Sequence, residues 1–95
     1  MALQDILKAL SNPRRRRVFQ LICRGSASRD DGGLTVEQIC RRTGFKQPAV
    51  SHHIAHLSAA GLIERRRTRY WVHCRPQRRG LDPLRRFVRN PAELV

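Results

Sequence analysis

The sequence predicts a mainly α-helical domain of about five helices carrying one small β-hairpin. Three observations lead there. Ninety-five residues bury a single core. Apolar residues recur at helical spacing in five separate stretches, and the period changes once, after Gly61, to a short run rich in β-formers. Hydrophobic residues make up 40% of the chain against 5% aromatics, so the core is built from Leu, Ile, Val and Ala; a large β-sandwich is excluded.

Leu3, Ile6, Leu7 and Leu10 form a narrow apolar stripe on a first helix near residues 2–10. Ser11, Asn12 and Pro13 read as a stop and restart, because Ser or Asn caps a helix and Pro suits its first position. The second helix then runs to about Cys23 with Val18, Leu21 and Ile22 inward. Its first turn crowds Arg14, Arg15, Arg16 and Arg17 at the positive end of the helix dipole, a local conflict that phosphate oxygens would relieve. A solvated charge run is the plainer reading of the same block. Residues 24–34 are small, polar and glycine-rich, a flexible surface loop.

Thr35 opens the third helix, and Gln38 three residues later completes a capping box. Val36, Ile39 and Cys40 face inward, and Gly44 supplies the left-handed residue that turns the chain. The fourth helix spans about 47–60 with Val50, Ile54 and Leu57 on its core face. At about 100° per residue, Pro48, His52, Ala55 and His56 project the other way, with Ala49 and Ser51 on the flanks. That outward face is short and polar, suited to a major groove. His53 falls about 60° from the core centre and is expected to be partly buried and structural.

Beyond Gly61, Leu62 and Ile63 lead into ERRRTR and then YWVHC, read as a two-stranded ribbon with Arg65, Arg66, Arg67 and Arg69 around its turn. An Arg-tipped ribbon reaches a minor groove beside the helix. The tip lacks Asn-Gly or Asp-Gly, so it is expected to be mobile without DNA. Pro76 ends the ribbon. Leu81, Leu84, Phe87 and Val88 mark a last helix near 78–89, stopped by Asn90 and Pro91. The two terminal stripes (Leu3, Ile6, Leu7, Leu10 with Leu81, Leu84, Phe87, Val88) suggest a two-fold dimer interface; packing against each other within one chain is the alternative.

Charge narrows the partner. Twenty Lys and Arg against seven Asp and Glu leave +13, and 18 of the twenty are Arg, whose planar fork matches phosphate and guanine edges. A membrane partner would need a long basic amphipathic helix with bulky anchors, which the sequence lacks; a generally basic, soluble surface is the bland reading. No apolar stretch is long enough to span a bilayer, the N-terminus lacks signal-peptide order, and a cytoplasmic location is expected. Cys23, Cys40 and Cys74 are an odd number without CxxC spacing, so reduced thiols are the default. The combination of helices, polar reading face and basic hairpin is a winged helix-turn-helix, expected to occupy residues 1–95 as one DNA-binding domain.

Three stretches, LKALSNPRRRRVFQLIC, LTVEQICRRTGFKQPAVSHHIAHLSAAGLIERRR and YWVHCRP, resemble the arsenic-repressor (ArsR) type of winged-helix transcription regulators over residues 3 to about 88. The segment QPAVSHHIAHLSAAGLI is similar to that family's recognition helix almost position by position. The resemblance implies a homodimer built from the first and last helices, recognition helices in successive major grooves of an imperfect palindrome, and a repressor released by a signal. On the matching positions it implies base-edge contacts from Gln47, Ser51 and His52 and phosphate contacts from Lys46 and His56. Lys46 departs from the Ser or Thr often found there.

The usual metal sites are not matched. The third helix carries Cys40 in place of a CxC pair, and the last helix offers Asp82 alone and no His. No cofactor is expected. Cys23, Cys40 and Cys74 would make a redox switch if two approached bonding distance and nearby Arg lowered a thiol pKa; small buried hydrophobes are the plainer role. His52 and His56 have i, i+4 spacing suited to a metal ion, but the glutamate of HExxH is absent. No spacing matches a hydrolytic motif, so an enzyme and a small-molecule substrate are not expected. The partners expected are double-stranded DNA and a second copy of the chain. A thiol-sensing repressor and an architectural, low-specificity DNA binder are the alternatives, with a protein-binding domain as a third.

Overall fold

The computed structural model describes residues 2–25 and 33–93. The elements follow as α1 (Leu3–Ser11), α2 (Pro13–Gly25), β1 (Leu34–Thr35), α3 (Val36–Thr43), α4 (Gln47–Ala59), β2 (Ile63–Arg67), β3 (Val72–Pro76), a 3-10 turn (Arg78–Leu81) and α5 (Asp82–Arg89). This is the expected mainly α fold with a hairpin wing. Most of the glycine-rich stretch assigned to residues 24–34 lies outside the described residues; its ends extend α2 to Gly25 and form β1 from Leu34.

Local chemistry sets the boundaries. The Asp5 carboxylate accepts the Ala2 N–H at 3.2 Å, closing the first turn of α1. Asn12 Oδ1 accepts the Arg15 N–H at 3.0 Å, so Asn12 caps α2 with Pro13 at its first position. The capping box of α3 forms in both directions: Gln38 N–H donates to Thr35 Oγ1 at 3.1 Å, and Thr35 N–H to Gln38 Oε1 at 2.9 Å. Gly44 then takes φ 76°, its N–H donating to the Cys40 carbonyl at 2.8 Å, and swings the chain into α4.

The core is one cluster of mainly aliphatic side chains: Ile6 and Ala9 of α1, Val18, Phe19 and Ile22 of α2, Ile39 of α3, Val50, Ile54 and Leu57 of α4, and Leu62, Ile63 and Cys74 of the wing. Each large aliphatic residue fully buried there stabilises the fold by about 1.5–3 kcal/mol relative to exposure. The wing is wider than two strands. Strand order is β1-β3-β2, all antiparallel, with Leu34 opposite Cys74 and Arg65 opposite the same cysteine from the other side. Gly33, at φ 79°, allows this third strand, because a Cβ there would collide with the Cys74 carbonyl.

Three expectations are corrected. The inward face of α2 is Arg15, Val18, Phe19 and Ile22, with Leu21 only half-buried, so one arginine of the basic block belongs to the interior. Ile6, expected at a dimer interface, is fully enclosed by its own chain. Tyr70 and Trp71, expected in the second strand, lie in the turn, and β3 begins at Val72. At the wing tip, which lacks Asn-Gly, Thr68 N–H donates to the Trp71 carbonyl at 2.8 Å and its Oγ1 donates to the same oxygen at 3.2 Å.

Candidate nucleic-acid interface

Helix α4 buries Val50, His53, Ile54 and Leu57 and leaves Gln47, Ser51, His52, Ala55 and His56 in solvent. The two faces follow from the helical period, and α2 and α3 pack against the apolar one. Lys46 is exposed at the N-cap and makes no side-chain cap bond, as its departure from Ser or Thr implies. The His52 and His56 rings stand edge to face with centroids 4.4 Å apart, making a compact imidazole ridge on the exposed face.

His53 plays the structural part expected of it. It is buried, edge-on to Phe45 at 6.4 Å, and its Nδ1 has no hydrogen-bond partner. Burial, and then the charges of Arg15, His52, His56 and Arg14, hold its pKa below the usual histidine range. His56 is also pushed down, chiefly by the Arg15 guanidinium and then by desolvation, His52 and Lys8. Both imidazoles therefore favour the neutral form, in which one ring nitrogen accepts and the other donates.

The arginine block divides. Arg14 is exposed, its guanidinium 5.3 Å from the Phe45 ring centroid, which ties the start of α2 to the turn between α3 and α4. Arg16 donates to the Leu10 carbonyl at 2.8 Å. Arg15 is 9% exposed, and its NH1 reaches the Ala9 carbonyl only at 3.5 Å. On the wing, Arg65, Arg66 and Arg67 are exposed along β2, and Arg69 sits in the turn with its guanidinium 5.7 Å from the Tyr70 ring centroid.

A groove lined by Gln47, Tyr70 and Trp71 joins the first turn of α4 to the wing tip, so reading helix and hairpin share one side of the molecule. Phe45, Tyr70 and Trp71 were not singled out from sequence. The signal for the last two was the mismatch between large aromatics and a polar turn, which the β-propensity of YWVHC concealed.

The thiols lean toward packing. Cys74 is fully buried and burial pushes its pKa up to about 11, against a smaller pull from Arg65. Burial also raises Cys23 above the ordinary thiol range, outweighing Arg78. Nearby arginines therefore do not produce the lowered pKa that a reactive thiolate needs at these two positions. Among the described residues no group of three or more His, Cys, Asp or Glu could hold a metal ion, and no helix is long and apolar enough to cross a membrane.

At the chain ends, α1 and α5 pack together and enclose a groove of about 850 Å³ lined by Leu3, Pro83 and Phe87 among others. Leu10, Leu81 and Leu84 are partly buried against the chain's own core, and Leu3 is half-buried. Leu7, Phe87 and Val88 remain 47%, 43% and 68% exposed.

A tri-helical core, a short turn into a polar reading helix and an arginine-rich hairpin define the class of winged helix-turn-helix domains. Residues 10–66 match the family model described as a helix-turn-helix domain. The chain belongs to this family, as a winged helix-turn-helix of the ArsR type of transcriptional regulators. It is 33% identical over 70 residues to the arsenic resistance transcriptional regulator ArsR1 of Pseudomonas putida, a match covering 74% of this chain and 50% of that protein. The chain thus spans about half the length of that curated relative. Among solved structures it is similar to a possible transcriptional regulator for arsenical resistance, with 27% identity, TM-score 0.73 and coverage of 95% and 86% of the two chains. It is likewise similar to the homodimeric winged helix-turn-helix DNA-binding domain of a possible ArsR-family regulator from Mycobacterium bovis, with 27% identity, TM-score 0.70 and coverage of 95% and 77%.

Proposed function

We propose that residues 1–95 form one domain that acts as a homodimeric, sequence-specific repressor in the cytoplasm, binding a palindromic operator in double-stranded DNA without catalysis, cofactor or the family's usual metal sites. One observation carries the reading: the exposed polar face of α4 and the arginine-bearing wing tip border the same groove, through Gln47, Tyr70 and Trp71. In this arrangement Gln47, Ser51 and His52 meet base edges in the major groove. Lys46, His56 and Arg14 contact flanking phosphates, and Arg65, Arg66, Arg67 and Arg69 follow the backbone into the adjacent minor groove.

Self-association is supported by the exposed Leu7, Phe87 and Val88 beside the α1–α5 groove, apolar surface that a second copy would cover. The similarity to a homodimeric neighbour points the same way.

The test is titration of duplexes from the gene's own upstream region against scrambled duplexes at several salt concentrations. A site-specific repressor loses about 1–3 kcal/mol per mismatched base pair. His52→Ala should cost roughly 5- to 150-fold in operator affinity while leaving binding to scrambled duplex nearly unchanged. Equal affinity for every duplex would overturn the reading in favour of the architectural alternative, which the +13 charge favours.

A further inference from the structure

Three helices bring basic side chains together where the exposed face of α4 ends. Lys8 of α1, Arg15 of α2 and His56 of α4 line a groove of about 470 Å³, together with Asp5 and Asn12. Arg15 is the unusual member. The residue is 9% exposed; among the described residues its Nε has no hydrogen-bond partner, and its guanidinium donates to the Ala9 carbonyl only at the 3.5 Å limit. Among the described residues the ion pairs are Arg41 with Glu37 and Arg85 with Asp82, so no carboxylate answers Arg15. Asp5, the one acid on the groove, accepts the Ala2 N–H.

Enclosing a guanidinium costs several kcal/mol unless an opposite charge and hydrogen bonds compensate it. Here its neighbours are a lysine and a histidine instead. Lys8 and Arg15 bring like charges to the groove in the free protein, and Arg15 is the largest cause of the lowered His56 pKa, which holds that imidazole neutral until an anion arrives. A net-positive groove with unspent donors matches one ligand chemistry, a tetrahedral oxyanion whose oxygens accept several charge-assisted hydrogen bonds at once.

We propose that this groove is a phosphate site, with Arg15 as its buried anchor and Lys8 and His56 as the donors at its rim. The phosphate group is either a backbone phosphate of a bound duplex, reached from the end of α4, or free inorganic phosphate.

The experiment follows the His56 imidazole of the full chain by NMR, its resonance assigned by loss in His56→Gln. Inorganic phosphate is added first to the protein alone, against chloride at matched ionic strength. Phosphate should raise the His56 pKa by about one unit, as an adjacent anion does, and chloride should not. Lys8→Gln, a change on an exposed position of α1, should shrink the increment without the folding risk that accompanies Arg15→Gln. In a second arm an upstream duplex replaces phosphate. A rise with duplex that added phosphate no longer increases assigns the site to the DNA backbone, and a rise with free phosphate alone assigns it to the small anion. No rise with either, or an equal rise with chloride, overturns the proposal. The first arm uses the protein alone, so its result stands whether or not any duplex binds.

Discussion

Helices α4 and α5 are both amphipathic, yet they end in opposite circumstances. The apolar face of α4 is covered within the chain by α2 and α3, and Val50, Ile54 and Leu57 are essentially inaccessible. Helix α5 has no buried residue, and Phe87 and Val88 look outward. The difference separates two tasks. One helix completes the fold of a single chain, so its solvent face is free to specialise; the other carries apolar surface that the single chain leaves open.

Truncation at each helix tests that division. Leu57→Ala, at a position with no exposed surface, should cost about 2–5 kcal/mol in urea or thermal unfolding. Phe87→Glu should change the stability of the isolated chain by less than about 0.5 kcal/mol. It should nevertheless convert a dimer to a monomer in sedimentation, with weakened operator binding. A large loss of monomer stability at Phe87, or an unaltered oligomeric state, would erase the distinction.

A smaller effect sharpens the turn that launches α4. Nothing lies within 4 Å of a Cβ placed on Gly44, so Gly44→Ala isolates the backbone cost of φ 76°. Denaturant midpoints should report about 1–2 kcal/mol.

The smallest effect is electrostatic and belongs to the covered side of α4. His53 is held below its normal pKa, so in acid the unfolded chain takes up its proton before the folded one does. The stability it contributes is complete above the unfolded value near 6.5 and is lost as pH falls through the lowered folded value; His56 adds in the same direction. Unfolding midpoints measured between pH 7.5 and pH 5 should fall, and His53→Gln should flatten the slope.

Much of this architecture was legible because it rests on local rules. Thr35 with Gln38, Gly44 and the period of α4 each depend on residues within a turn or two, and the two faces of the reading helix follow from spacing alone. The burial of Arg15 was not read, although extending the Val18 and Ile22 stripe backward by one turn lands on it. Four consecutive arginines suggested a block turned outward toward phosphate, and only the packing of other helices against α2 encloses one of them. Ile6 failed similarly: a stripe on a helix specifies an apolar face but not whose surface covers it. The third strand at Leu34–Thr35 is too short to signal itself, being made by tertiary pairing with β3.

Gly80 gives the terminal helix a mechanical role. Any Cβ at that position would strike the carbonyl of Gly61, two residues beyond α4, and the Gln77 N–H is bonded to the Leu62 carbonyl at 2.8 Å. The 3-10 turn leading into α5 is therefore held backbone to backbone against the segment that joins α4 to β2. The last helix thus keeps this seat by main-chain fit, and a side chain of any size at position 80 would prise it away from the segment that follows α4.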